Sequence, residues 1–513
     1  MTLGRTRAIA LAGLQGRLVD VEAHLSNALP GLLVSGLPDA ACRQAPDRVR
    51  AACESTSLTL PSRKIVVNLS PAAVPKNGTG FDLAIAVAIL AAVGKIMQRP
   101  AGDVVHLGEL GLDGSVRPVV GVLPAVLAAL AAGATDVVVP LTNLPEAQLV
   151  DGIRVHGVES LREVVRSYRE QGPPSAWLVR EGPPGSASAQ RIVPDLADVA
   201  GQAQARVAVE VAAAGGHHLL LTGPPGSGKT MLAERIAGIL PPLHLDQALA
   251  VHSIRSLLGE SLDGPGLDRT PPYVAPHHGA SLAAMVGGGS GLVRPGAVSA
   301  AHLGVLFLDE APHFKADVLQ ALRQPLESGS VTIARSRTTT TFPARFQLVL
   351  AANPCPCGHG YGKALRCTCS PVARRTYAAR LGGPILDRID VQVHVPALTQ
   401  AASLAMTGEP SAIVAERVRR ARERAAERWS LAGDWVTNAQ VPGRVLRVGA
   451  FRLSAAVTAN LDRALERGLI SLRGYDRTLR VAWTRADLAG KSRPDADDVG
   501  LALLLRAGTQ VAA

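Results

Sequence analysis

The sequence predicts an α/β protein of several parts, on three observations. Two regions alternate strand-like and helical runs, a glycine-rich loop joins a buried strand to a helix, and a third region has helical period alone. At 513 residues the chain is long enough for several domains with ample core. Apolar residues make up 47% and the net charge is +11, which excludes a disordered polyelectrolyte. The longest nearly apolar run, residues 119–135, contains Gly and Pro and stops short of the roughly 20 residues that span a bilayer, so no membrane partner is expected. Arg5 and Arg7 precede a short apolar run over residues 8–14, but Gln15, Arg17 and Asp20 follow and no small-residue cleavage site stands out. The chain therefore reads as cytoplasmic, with a secretory signal as the alternative.

Taken in order, residues 1–170 carry strand-like runs at 31–35, 64–68, 103–107 and 135–140 between alanine-rich helical stretches at 82–92 and 124–132, a mixed α/β domain. Residues 171–190 crowd Pro, Gly and Ser without apolar period and read as a linker. Over residues 191–397, buried-strand signatures at 218–222, 305–309 and 347–351 predict a parallel sheet covered on both faces. Residues 398–513 read as a small helical domain.

All but seven of the 53 basic residues are arginine. Guanidinium suits bidentate phosphate recognition, although an overall bias toward Arg, Ala, Gly and Val accounts for the same count. Aromatics at 3% argue against serial base stacking and leave phosphate contact as the mode for any nucleic-acid partner.

Gly223-Pro224-Pro225-Gly226-Ser227-Gly228-Lys229-Thr230 fits the phosphate-loop spacing, following an apolar run and opening a helical pattern. Such glycines let backbone N–H groups face phosphates; Lys229 would reach the β/γ phosphates of ATP and Thr230 would ligate Mg2+. Downstream, four apolar residues end at Asp309-Glu310, a pair suited to holding Mg2+ through Asp309 and polarising water through Glu310. A third strand ends at Asn353, where a polar side chain could orient that water or, before Pro354, simply make a turn.

These motifs, with Ala352-Asn353-Pro354-Cys355-Pro356-Cys357, Gly383-Pro384-Ile385-Leu386-Asp387-Arg388-Ile389-Asp390 and Leu479-Arg480-Val481-Ala482, resemble the AAA+ magnesium-chelatase-like family known as YifB or ComM over nearly the whole chain. The resemblance implies a P-loop AAA+ core with a helical lid, assembled as a ring, usually a hexamer, with ATP between subunits. Arg388 would be the finger reaching a neighbour's γ-phosphate and Arg480 the lid sensor, with residues 198–202, Val199 among them, beside the adenine. The alternative for Arg388 is an intrachain ion pair with Asp387 or Asp390.

The first region, through residues 75–82 and 106–110, resembles the Lon-type protease fold, a ribosomal-S5-like α/β domain. Gly80 and Leu123 stand where that family has its Ser and Lys, so no protease is expected; Lys76 and Ser70 are the nearby residues that could substitute. Glycine-rich residues 276–296 suggest loops or a hairpin, and the adjacent His277 and His278 read as loop rather than metal ligands. Arg335 and Arg337 alternate on a ribbon that resembles the DNA-gripping hairpin of relatives, or is an ordinary exposed hairpin face. Cys355, Cys357, Cys367 and Cys369 form two Cys-x-Cys pairs, a candidate Zn2+ site or reduced turn cysteines, with His359 as a substitute ligand. Arg417 to Arg424, five arginines in eight positions, reads as an exposed, ion-paired helix or a phosphate contact. The motifs point to an ATP-driven motor. The family resemblance, supported by Arg335, Arg337 and the basic balance, implies a ring acting on DNA, such as a helicase or branch-migration translocase in recombination or natural transformation, the alternative being a chelatase-type or chaperone-like motor that remodels a protein.

Overall fold

Alternation of Arg5 and Arg7 with buried Thr6 and Ala8 makes the segment Leu3–Ala12 a strand rather than a leader-like helix. It pairs antiparallel with Gln15–Ser26, from Leu3 opposite His24 to Ala12 opposite Gln15, and its arginines meet Glu22 and Asp20 across the ladder. This hairpin is not among the strand runs expected from the sequence; short Gly4, Thr6 and Ala8 hide the period of its first strand, while the second buries Val19, Val21, Ala23 and Leu25 at alternate positions. The computed structural model describes residues 3–172, 174, 177, 194–260, 266–289, 292–335, 339–360, 366–397 and 408–507.

The first sheet has seven strands in the order Gly31–Ser35, Lys64–Ser70, Gln15–Ser26, Leu3–Ala12, Val105–His106, Asp136–Pro140, Arg154–Val158. Gln15–Ser26 runs against both its neighbours, and every other pair is parallel. The helix Asp82–Ala92 is buried on all sides, as its unbroken apolar run requires. It lies so close to the hairpin that a Cβ on Gly4 would stand 2.1 Å from the Ala88 carbonyl oxygen. Asp82, at its first turn, is buried and takes a bidentate pair from Arg48, Nε at 2.6 Å and Nη2 at 2.8 Å. Within residues 171–190, Trp177 is buried edge-on against Tyr168 and donates Nε1–H to the Gly172 carbonyl. Apart from Gln171, Gly172, Pro174 and Trp177, that expected linker lies outside the described residues.

The second sheet is wholly parallel, in the order Tyr273–Val274, Val305–Leu308, Gln347–Ala352, Leu219–Thr222, Val391–His394. Its first strand in the chain therefore lies between the fourth and the fifth. Val305–Leu308 and Gln347–Ala352 are buried along their length. Helices Ala203–Gly215 and Lys229–Ile239 cover one face, together with the helical region that follows. Phe314, Leu319, Leu322 and Phe346 pack on the other.

Among the described residues, positions 408–507 are helical: Ser411–Ser430, Gly443–Arg447, Ala455–Glu466, Leu472–Leu488 and Ala496–Ala507, with short 3-10 turns between. Trp429 and Trp483 meet edge to face at 5.6 Å, and Arg428 stacks on Trp483 while pairing with buried Asp487. The arginine run divides between two environments. Arg419 and Arg420 pair with Glu416 and Glu423 on the outer face, whereas Arg417 clamps Glu210 and Glu409, Arg422 bonds the Ala213 carbonyl and Arg424 that of Asp487. Arg417 and Arg422 thus join the helical region to the second sheet's flank.

Removing one partner of a buried pair leaves the other charged and unsolvated. Arg48→Ala should therefore lower stability by about 3–5 kcal/mol, read by denaturant unfolding, and Arg48→Ala with Asp82→Ala should cost less than the single change.

Candidate functional site

The chain leaves Leu219–Thr222 at the carboxyl end of the sheet, turns through residues 223–230 and enters Lys229–Ile239. Gly226 and Gly228 have φ of +73° and +91°, the left-handed region where a side chain is strained. Gly223 is constrained by space, since a Cβ would stand 2.2 Å from the Val395 carbonyl oxygen. Lys229 is buried, its Nζ donating to the carbonyls of Gly223 (2.9 Å) and Pro224 (2.8 Å) and to Asn353 Oδ1 (3.2 Å). Burial pulls its ammonium below the ordinary lysine range, and Asp309 and Glu310 work against that pull. Ser227 Oγ is buried with no hydrogen-bond partner among the described residues. A loop with an orphaned hydroxyl and a lysine folded onto its own carbonyls has the donor set that an anion needs.

The strand Val305–Leu308, separated from Leu219–Thr222 by Gln347–Ala352, also ends at this edge. Asp309 Oδ2 accepts from Thr230 Oγ1 at 2.9 Å, and Asp309 Oδ1 accepts from the Glu310 amide at 2.8 Å. Glu310 itself has φ +49°, a strained backbone for a side-chain-bearing residue, and its carboxylate reaches within 3.7 Å of His278 Nδ1. His277 and His278, expected from their adjacency to face apart, instead have rings 4.1 Å apart, with His278 also 6.0 Å from His313. The strand Gln347–Ala352 delivers Asn353. Phosphate loop, acidic pair and Asn353 thus come to one place because they follow parallel strands of one sheet.

On the opposite flank, Val199 is buried in the core and Gln202, at φ +50°, sends Nε2 to the carbonyls of Ser227 (3.1 Å) and Pro396 (2.8 Å). Arg235, on the phosphate-loop helix, holds Asp198 at 2.8 Å and the Asp195 carbonyl at 2.6 Å. Residues 198–202 are therefore pinned to the phosphate loop and its helix by Gln202, which lies in the stretch expected beside the adenine, and by Arg235, which the sequence motifs do not single out.

Arg388 pairs with Glu327, not with Asp387 or Asp390, whose buried carboxylate is held well below the usual range by Arg477 and His217 despite its burial. Burial and the nearby Arg473, Arg323 and Arg477 draw Arg388 below the usual guanidinium range. Arg480, on Leu472–Leu488, donates Nε–H to the Val441 carbonyl at 2.7 Å.

The ribbon is a hairpin of Ser330–Ala334 and Thr339–Pro343, with Arg335 just past the first strand; Arg337 lies outside the described residues. A second small hairpin, Gly287–Gly288 with Arg294–Pro295, packs on it, a Cβ at Gly287 falling 3.0 Å from Ile333 Cδ1. In the first sheet's domain, Gly80 lines a cavity of about 570 Å3 with Thr79, Glu109 and Arg294, Leu123 is buried in the core, and Lys76 is buried with Nζ on the Pro71 carbonyl. No serine–lysine dyad is formed there among the described residues.

The four cysteines converge. Cys355, Cys357 and Cys367 have Sγ separations of 3.4, 3.8 and 3.7 Å, and all four sulfurs lie within 4.8 Å of one another. For metal–sulfur bonds of about 2.3 Å a tetrahedron has edges of about 3.8 Å, so the set fits a tetrathiolate ion.

The family description "Magnesium chelatase, subunit ChlI" matches residues 195–403, its carboxyl-terminal counterpart residues 408–506, and "Subunit ChlI of Mg-chelatase" residues 21–143. An uncharacterized Mycobacterium tuberculosis protein is 50% identical over 510 residues, 99% of each chain. Competence protein ComM of Haemophilus influenzae is 40% identical over 498 residues, 96% of this chain and 95% of that protein, and Escherichia coli YifB is 39% identical over 492, 95% and 94%. The chain belongs to the magnesium-chelatase-like ComM/YifB family. Lon protease of Mycolicibacterium smegmatis shows a shorter likeness, 28% over 179 residues, a third of this chain and 23% of that protein.

Membership of the ComM/YifB family makes the chain an AAA+-type protein, and its parallel core sheet and helical carboxyl-terminal region agree with that fold. The Gly223 contact yields a test: Gly223→Ala should displace the loop, weakening nucleotide binding and costing about 1–3 kcal/mol of stability. Thermal melting with and without nucleotide checks both, and an undiminished nucleotide-induced shift would count against the loop as the binding site.

Proposed function

We propose that this ComM/YifB-family chain hydrolyses ATP as a ring motor, usually a homo-hexamer in this family, and translocates on DNA as a helicase or branch-migration enzyme in the cytoplasm. The observation that carries the catalytic part is the 2.9 Å bond between Thr230 and Asp309 beside the 3.2 Å bond between Lys229 and Asn353, which unites three strand ends around one loop. Lys229 would exchange two loop carbonyls for the β/γ phosphates, a stronger, charge-assisted partner. Thr230 and Asp309 would hold Mg2+, which supplies neutralising charge to the phosphates when bound. Glu310 would accept the proton of the attacking water and Asn353 would orient that water. Val199 and residues 223–230 would hold the nucleotide. Arg388, released from Glu327, would reach into a neighbouring subunit's site, and Arg480 would answer from the lid. The four cysteines would hold Zn2+.

The DNA reading draws support from the name of the Haemophilus relative, a competence protein, and from Arg335, just past the first strand of a ribbon beside the glycine-rich hairpin, with Arg337 two residues on in the sequence. A second reading, a motor that remodels a partner protein, is favoured by the match to a chelatase subunit along most of the chain.

The deciding experiment is the steady-state ATPase rate with and without single-stranded and forked DNA across a salt series. Stimulation that fades with salt and is lost in Arg335→Ala/Arg337→Ala is the expected result; a DNA-indifferent rate in every salt would transfer the assignment to protein remodelling. Lys229→Ala should abolish turnover and Glu310→Gln should lower kcat about 100- to 10,000-fold while sparing nucleotide binding. Full turnover in either would refute the roles given to them.

A further inference from the structure

We propose that the four-cysteine cluster is a metal clasp on the phosphate loop: Zn2+ bound by Cys355, Cys357, Cys367 and Cys369 sets the affinity of the adjacent nucleotide site. The inference rests on the zinc and nucleotide readings above and adds a dependence of one on the other. Two contacts from the same stretch of chain carry it.

The first is Asn353, two residues before Cys355, whose Oδ1 accepts from Lys229 Nζ at 3.2 Å. The second is Gly358, one residue past Cys357. Its amide donates to the Cys355 carbonyl at 3.0 Å, closing a turn, and its φ of +78° favours glycine. That turn is pressed onto the crown of the phosphate loop: a Cβ at Gly358 would stand 2.5 Å from Pro225 Cγ and 2.7 Å from Pro225 Cδ. Pro225 is exposed at the crown of a loop whose Gly223, Pro224 and Ser227 are buried, and the cysteine turn meets it there.

Sulfur is the organising group of the turn. Cys355 Sγ accepts from the Gly360 amide at 3.1 Å, and Pro356 between the first two cysteines has no backbone N–H to donate. The four cysteines are free of disulfides, and as thiolates within 4.8 Å they would repel; a divalent cation makes the arrangement stable. The second cysteine pair extends the clasp to the other side of the site. Cys369 precedes Ser370, which caps Pro371–Arg380 by accepting from the Ala373 amide. Tyr377 of that helix meets His313 edge-on at 5.7 Å, and the His313 amide donates to the Glu310 carbonyl at 2.7 Å. One ion would thus brace both the phosphate loop and the backbone of the acidic pair.

The test uses the full chain purified without a metal-affinity tag. Metal analysis should give about one zinc per chain, and cobalt substitution should produce the visible bands of a tetrahedral thiolate site. Affinity for a fluorescent ATP analogue with Mg2+ is then measured on zinc-replete protein, on protein stripped of zinc under reducing conditions, and after zinc is returned. Stripping should raise Kd about tenfold or more and zinc should restore it, the loss expected for one displaced charge-assisted contact. Gly358→Ala, which adds a methyl against Pro225 and removes no sulfur, should weaken the analogue similarly while retaining its zinc. Equal affinity with and without zinc, or wild-type affinity in zinc-loaded Gly358→Ala, would overturn the clasp while leaving the zinc site standing. Protein that takes up neither zinc nor cobalt would overturn the zinc reading and the clasp together. Zinc-replete protein that binds the analogue no better than Lys229→Ala would overturn the nucleotide reading and the clasp with it.

Discussion

Leu219–Thr222 is hydrogen-bonded on both sides, to Gln347–Ala352 and to Val391–His394, and everything at the candidate site is placed relative to that central strand. A parallel strand so enclosed must be largely apolar, and its chain must leave at the carboxyl edge, where its neighbours also end. Thr222 is paired with Ala352, and Leu308 with Leu350, so the residues that follow these strands, Gly223, Asp309 and Asn353, emerge along one edge of the sheet. The Val395 carbonyl, just past the fifth strand, closes against Gly223 and leaves no room for any side chain there. Loop geometry, the Thr230–Asp309 pairing and the position of Asn353 all follow from the order in which five strands are laid down.

Electrostatics are built on the same frame. The chain's many arginines suggest a polyanionic partner, yet several are engaged internally: Arg48 on Asp82, Arg235 on Asp198, Arg417 on Glu210, Arg428 on Asp487, Arg477 on Asp390. Guanidinium serves such sites because its planar fork satisfies both carboxylate oxygens and tolerates partial burial. The arginine count by itself is therefore a poor guide to where DNA would lie. The Arg388–Glu327 pair has a different consequence, since Glu327 lies near the end of the helix Arg323–Ser328 that runs into the Ser330–Ala334 hairpin. An arginine proposed to act on a neighbour's nucleotide is held, within its own subunit, at the base of the ribbon proposed to touch DNA.

The first sheet's domain has a cavity lined by residues 77–80, with Arg294 of the second unit also at its wall. Gly121 and Ser256 are hydrogen-bonded across the two units, and Leu257 packs over Gly121.

Much of this was legible in the chain because local physics sufficed. The strands at 31–35 and 347–351, the helix at 82–92, the phosphate loop and Asp309-Glu310 all announce themselves through apolar runs and glycine spacing, which act over a few residues. The first strand of the amino-terminal hairpin did not, since its period is carried by Gly4, Thr6 and Ala8 on one face and ion pairs on the other, although Val19, Val21 and Leu25 mark the second. Arg235 and Glu327 were equally silent, because each matters through a partner far along the chain: 37 residues separate Arg235 from Asp198, and 61 separate Glu327 from Arg388. The cysteines fall between, two short pairs suggesting a ligand set that only folding could bring within 4.8 Å and lay against Pro225. Sequence determined which groups are available and the local conformations they prefer; the order of the strands decided which of them meet, because contact across a sheet is not encoded in any one segment.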